Sequence, residues 1–164
     1  MRAGRRRNGS SRIDSTSRID QCSETIQIIR SSATIPSVIY ANIRSISNKI
    51  DELRAIVSVN NPSLVCLTET WLSTNIPDSA CDLSVFICFR NDRQLSQGGG
   101  VCVYVKASHP CSLIKDYLDS EIESIWLNIR PYRLPRGTSS ILVATVYHPP
   151  SSSIEQNTLL ISHL

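Results

Sequence analysis

Glu69 is the residue in this chain that most asks for a chemical explanation. It follows the apolar run Leu64, Val65, Cys66, Leu67 in SLVCLTETWLS (63–73), and Thr70 and Trp71 come directly after it. An unpaired ionised carboxylate in a dry interior costs several kcal/mol even after relaxation, so a buried strand that ends on one supplies water, a cation or a metal. Asn42 closes another strand-like run, IPSVIYAN, and Tyr147 closes SSILVATVY just before His148, Pro149 and Pro150. Two further groups carry polar potential: Arg90, Asp92 and Arg93 in FRNDR, and the glycines Gly98, Gly99 and Gly100. His109, His148 and His163 are too scattered for a local metal motif, and the six cysteines contain no CxxC. That spacing argues against a structural zinc site and against a disulfide framework.

The elements that must position these residues can be read from periodicity. Residues 35–42 form a strand with Pro36 at its start. Ile46, Ile50, Leu53, Ile56 and Val57 recur at helical spacing across 45–61, and Asn60, Asn61 and Pro62 stop that helix. SLVCLTE is then a fully buried strand, which makes a strand–helix–strand unit with parallel strands. Ligands gather at the carboxyl ends of parallel strands, where Asn42 and Glu69 would meet at one rim. Further strand-like runs cover 82–90, 98–106, 111–117, 124–130 and 139–147. A last helix starts after Ser152 or Ser153, with Glu155 or Gln156 placed to complete a capping box.

Composition bounds the rest. With 164 residues, 41% hydrophobic and 19% charged, the chain is of one-domain size and has the make-up of a soluble protein. It contains neither an apolar run long enough to span a membrane nor, after Met1, an apolar secretory leader, so an intracellular protein is expected. Residues 1–34 hold seven arginines against Asp14, Asp20 and Glu24, a local charge of +4 in a chain of net +3, so residues 35–164 carry −1. This basic arm is expected to be a disordered, solvated tail or a contact to phosphates of nucleic acid or anionic lipid. The folded part is expected over 35–164.

Four pieces stand in order: YANIRSISNKIDEL (40–53), TETWL (68–72), FRNDRQLSQGGGVCVYVK (89–106) and ATVYHPP (144–150). Together they resemble the endonuclease domain of non-LTR retrotransposons of the jockey and CR1 kinds, within the endonuclease/exonuclease/phosphatase superfamily. The resemblance implies a four-layer α/β sandwich and Mg²⁺-dependent cleavage of a DNA phosphodiester, with Mn²⁺ able to replace Mg²⁺. It implies that Asn42 is the active-site asparagine, Glu69 the carboxylate that holds the metal with Asn42 beside it, and Tyr147 the tyrosine next to the scissile phosphate. Magnesium is content with one or two carboxylates, so this donor set is chemically sufficient.

Each residue keeps its alternative. Glu69 by itself can be a solvated strand-end carboxylate, Asn42 a turn residue or helix cap, and Tyr147 an aromatic that closes the sandwich. The three glycines read as a turn, and Arg90, Asp92 and Arg93 as either a surface ion cluster or contacts to DNA backbone. The sequence also departs from the family pattern, since it has no Gly-Asp dipeptide and no Ser-Asp-His. Those motifs supply the family's catalytic base and its partner. The expectation is therefore the N-terminal portion of such a domain, inactive alone and marginally stable for want of covering strands. Its natural intramolecular partners would be the rest of the domain and a reverse transcriptase, and it would be nuclear if part of a functional element. The alternative is a non-catalytic nucleic-acid-binding or interaction remnant. A phosphatase or sphingomyelinase of the same superfamily also fits the fold.

Overall fold

A computed structural model describes residues 16–19, 26–29, 35–94, 98–115, 122–132 and 134–163, and every structural statement below concerns these residues. In chain order they form β1 (Thr16–Ile19), β2 (Ile26–Ile29), β3 (Val38–Asn42), α1 (Ile50–Asn60), β4 (Leu64–Thr68), a 3-10 turn (Asp78–Cys81), β5 (Phe86–Asn91), β6 (Val101–Lys106), β7 (Cys111–Leu113), β8 (Glu123–Ile129), β9 (Ile141–Tyr147) and α2 (Ile154–His163).

All five residues of β4 are buried, so it needs a strand on each edge and cover on both faces. It pairs in parallel with β3 and antiparallel with β6, within a six-stranded sheet of order β1-β2-β3-β4-β6-β5. Because side chains alternate along a strand, β4 feeds two cores. Val65 and Leu67 join Ile39, Ala41, Tyr104, Leu53 and Val57 on the face that α1 covers. Leu64 and Cys66 join Val101, Val103 and Val105 against Ile125, Leu127 and Ile129 of β8. That strand is central in an antiparallel sheet of order β7-β8-β9. The described residues thus supply three layers, helix, sheet and sheet, of the four expected.

Several expectations need correcting. Charge sets the first 34 residues apart as an arm outside the fold, but β2 pairs antiparallel with β3 and β1 antiparallel with β2, extending the large sheet. Ile28 is buried and Ile26 packs against the helix-side core, and this burial outweighs the polar character of the surrounding segment. The other residues of the expected arm, with its DNA or lipid contacts, lie outside the described residues. Helix α1 starts at Ile50 and not at residue 45. Arg44 and Ser45 have φ of 44° and 76°, which no right-handed helix accepts, and the N–H groups of Ser45 and Ile46 donate to Glu69 O and Thr70 O. Ile46 is nevertheless fully buried, which explains why its spacing mimics a helical position. The strand expected over 82–90 begins only at Phe86, after the 3-10 turn and a left-handed Val85.

The end of α1 is legible in its chemistry: Asn61 adopts the left-handed conformation and its N–H donates to Val57 O at 2.8 Å. The expected capping box of α2 is present, with Gln156 N donating to Ser153 Oγ at 3.2 Å and Ser153 N donating to Gln156 Oε1 at 3.0 Å.

Tyr104 of β6 is 0% exposed, and its hydroxyl donates to Cys81 O at 2.6 Å, tying the 3-10 turn to the sheet. Tyr104→Phe removes that donor and leaves a carbonyl unsatisfied, so urea unfolding should show a loss of about 1–2 kcal/mol with an unchanged slope. A midpoint equal to that of the parent would refute this role.

Candidate active site at the carboxyl ends of β3 and β4

Asn42 and Thr68 are register partners at the ends of the two parallel strands, so Glu69 is the first residue to leave the sheet beside Asn42. It leaves sharply. Glu69 and Trp71 have φ of 57° and 54°, left-handed conformations that cost about 1 kcal/mol or more each outside glycine. Hydrogen bonds hold this backbone from both sides. Ser45 N donates to Glu69 O at 2.9 Å and Ile46 N to Thr70 O at 3.0 Å from one flank. From the other, Thr70 N donates to Gly100 O at 3.3 Å and Trp71 N to Gly99 O at 3.0 Å. Gly99 and Gly100 also have positive φ, and there is no room for side chains: a Cβ on Gly99 would collide with Arg93 and Glu123, and one on Gly100 would lie 2.7 Å from Thr70 Oγ1. The triple glycine is thus a turn that lets backbone approach the TETW segment.

The Glu69 carboxylate faces a ring of donors. Trp71 Nε1 donates to Oε2 at 2.6 Å, Gly99 N approaches the same oxygen at 3.4 Å, and Tyr147 is hydrogen-bonded to the carboxylate from β9. Burial alone would push the carboxyl upward. The hydrogen bonds from Trp71, Tyr147 and Gly99, with the positive charge of Arg93, outweigh it and hold Glu69 below the usual carboxylate range. The same contact acts in reverse on its partner: burial first, then the bond to the Glu69 anion, pushes Tyr147 up to about 12. Tyr147 therefore keeps its proton as a donor.

Arg93 lies 5.6 Å from the centroid of the Tyr147 ring and is ion-paired with Glu123, to which its Nε donates at 2.5 Å. The other oxygen of Glu123 accepts from Gly100 N, so one carboxylate braces both the arginine and the glycine turn. Glu123 is register partner to Tyr147 across β8 and β9. The sequence reading passed over it; the available signal was an acidic residue at the head of a strand, opposite a tyrosine.

The FRNDR group divides. Asn91 turns the other way from its neighbours and donates to Ser124 O at 3.0 Å, linking the two sheets. Arg90 and Asp92, with side chains only 12% and 9% exposed, form their own pair, Nη2 to Oδ2 at 2.6 Å. Arg90 also donates to Asp78 at 2.6 Å, to Ile76 O at 2.9 Å and to Ser73 O at 3.1 Å, so its guanidinium is spent on bracing the 73–78 loop.

Among the described residues no group of three or more His, Cys, Asp or Glu is placed so that it could hold a metal ion. With the Glu123 carboxylate occupied by Arg93 and Gly100, the oxygens left at the two strand ends are those of Glu69 and of Asn42, whose Oδ1 is buried without a hydrogen-bond partner. A buried oxygen left unsatisfied is uncommon in a folded protein and marks a place where a donor or cation belongs.

No protein-family model matches the sequence, and a search of curated proteins returns no match. The fold is similar to that of a solved AP endonuclease, LMAP, from Leishmania major, with a TM-score of 0.52 at 16% identity. The superposition covers 73% of this chain and 42% of that one, so the chain spans less than half the length of the endonuclease. At this identity the likeness establishes a shared α/β fold.

Because the folded state holds Glu69 below its unfolded value of about 4.3, the carboxylate stabilises the protein above that pH, and the contribution is lost as pH falls through the lower, folded value. Between about pH 5 and pH 3 the parent should lose more unfolding free energy than Glu69→Gln, other carboxylates being common to both. Parallel pH profiles would contradict the donor ring described above.

Proposed function

We propose that this chain carries the metal-side half of a Mg²⁺-dependent DNA endonuclease site, of the kind with which a non-LTR retroelement nicks its target. The observation that supports it best is the pairing of an ionised Glu69 with the partnerless Asn42 Oδ1 at adjoining strand ends. These oxygens suit magnesium, which takes oxygen ligands and keeps much of its water. Glu69 and Asn42 would hold the ion, and Mg²⁺ there would polarise phosphoryl oxygens and stabilise a leaving alkoxide.

The protein's own groups do the positioning. Tyr147, protonated up to about 12, holds its single O–H on Glu69, and it would turn that donor to a phosphate oxygen once a cation takes over the carboxylate. Arg93 adds positive charge that favours an anion at this rim, and Glu123 keeps it over the Tyr147 ring. The strained backbone at Glu69 and Trp71 fixes the carboxylate in advance of any ligand. A site that only grips phosphates is less well supported, because the guanidinium of Arg90 is committed within the protein.

Hydrolysis also requires a base to activate water, and the sequence contains neither Gly-Asp nor Ser-Asp-His. Nicking of supercoiled plasmid by these 164 residues should accordingly stay near background, with or without Mg²⁺. Metal binding should survive: titration with Mn²⁺, read by water-proton relaxation, should show one site weakened roughly ten-fold or more in Glu69→Gln. Equal binding by parent and variant would overturn the metal assignment. Mg²⁺-dependent nicking that disappears in Glu69→Ala would show that this half of the site suffices for catalysis.

A further inference from the structure

The helix-side face of the large sheet holds a pair of thiols that the proposed chemistry does not use. Cys88 lies on the edge strand β5 and Cys102 on β6, and their sulfurs are 3.3 Å apart. In the antiparallel register Cys88 is opposite Tyr104 and Cys102 is opposite Arg90, so the two cysteines are diagonal neighbours on one face. Cys102 is fully buried and Cys88 is partly exposed. Of the two, Cys88 is therefore the one an oxidant meets first, with the Cys102 sulfur in contact behind it.

We propose that Cys88 and Cys102 are a peroxide-reactive pair, Cys88 attacking the oxidant and Cys102 resolving the product to a disulfide that pins β5 to β6. Cys88, having released its proton, attacks an oxygen of hydrogen peroxide. The O–O bond breaks, the departing hydroxide is protonated to water, and Cys88 becomes a sulfenic acid. The Cys102 sulfur then attacks the Cys88 sulfur. The S–O bond breaks, and hydroxide leaves as water with the Cys102 proton. Two thiols are oxidised by two electrons in all, one peroxide is reduced, and two waters form.

The surroundings favour this order. The hydrogen bond shared with Cys102 lowers Cys88 below the ordinary thiol range and outweighs its burial, while burial raises Cys102. The sulfurs stand 3.3 Å apart against the about 2.05 Å of a disulfide, and because the two residues are diagonal and not directly opposite, the edge strand β5 must shift along β6 as the link forms. Cys102 lies two residues after Gly100, so the link would fasten the strand that follows the glycine turn.

The test is to treat the folded chain with a small excess of hydrogen peroxide, alkylate the remaining thiols, and map the peptides by mass spectrometry. Free thiols should fall from six to four, with a Cys88–Cys102 linked peptide that a reductant reverses. Cys111, also partly exposed but in the other sheet, should remain alkylatable. The same link should form roughly ten-fold or more slowly in urea, where the fold no longer holds the sulfurs together. Cys88→Ser should abolish it and leave Cys102 reduced. Oxidation of Cys88 to sulfinic acid beside an intact Cys102, linkage to a different cysteine, or equal rates folded and unfolded would each overturn the proposal.

Discussion

A carboxylate at the end of a strand with no exposed residue constrains everything around it. β4 is buried along its whole length, so the chain must change direction as soon as it reaches Glu69, and the carboxylate must find donors at the place where it emerges. Both demands are met together. The left-handed turns at Glu69 and Trp71 bring the indole N–H onto the carboxylate, and the glycine turn can come close enough to hydrogen-bond the same segment because it has no side chains. The strain in those turns is offset by four backbone hydrogen bonds from two flanks.

The site also depends on how the two sheets pack. Glu69 follows β4 of the large sheet, Tyr147 and Glu123 belong to the small one, and Arg93 follows the edge strand β5. The apolar layer of Leu64, Cys66, Val101, Val103 and Val105 against Ile125, Leu127 and Ile129 therefore sets the distance between the carboxylate and the phenol. Asn91, donating to Ser124 O, holds the sheets together close to the rim. A change in that core would be felt at Glu69 without touching any polar group, because close-packed interiors transmit small displacements.

Where the sequence could be read and where it misled have the same origin. Short-range patterns were reliable: the left-handed stop at Asn61, the capping box at Ser153 and the turn at Gly98–Gly100 all depend on residues within a few positions of one another, and the parallel opening follows from a helix lying between two consecutive strands. Long-range decisions were invisible. Ile46 sits at helical spacing, yet its N–H is claimed by Thr70, a residue twenty-four positions away, and the helix starts later. Ile26 and Ile28 stand in a segment whose arginines and serines read as tail, and pairing with β3 makes them core. Glu123 offered only the weak signal of an acid at the head of a strand, since its importance lies in partners just before β6 and just after β5.

By itself the sequence determined the kinds of groups present and the ends of the elements that carry them: an acid after a buried strand, an amide after its parallel neighbour, and a tyrosine closing a late strand. The tertiary structure alone decided which groups meet. It sent Arg93 to the rim with Glu123 and Tyr147 but turned Arg90 and Asp92 away to brace a loop, although all three arginine and aspartate residues lie within one pentapeptide. The physical reason is that element type follows from local backbone preferences and periodicity, whereas a hydrogen bond or ion pair between strands needs the sheet register and the packing of two sheets to be fixed first.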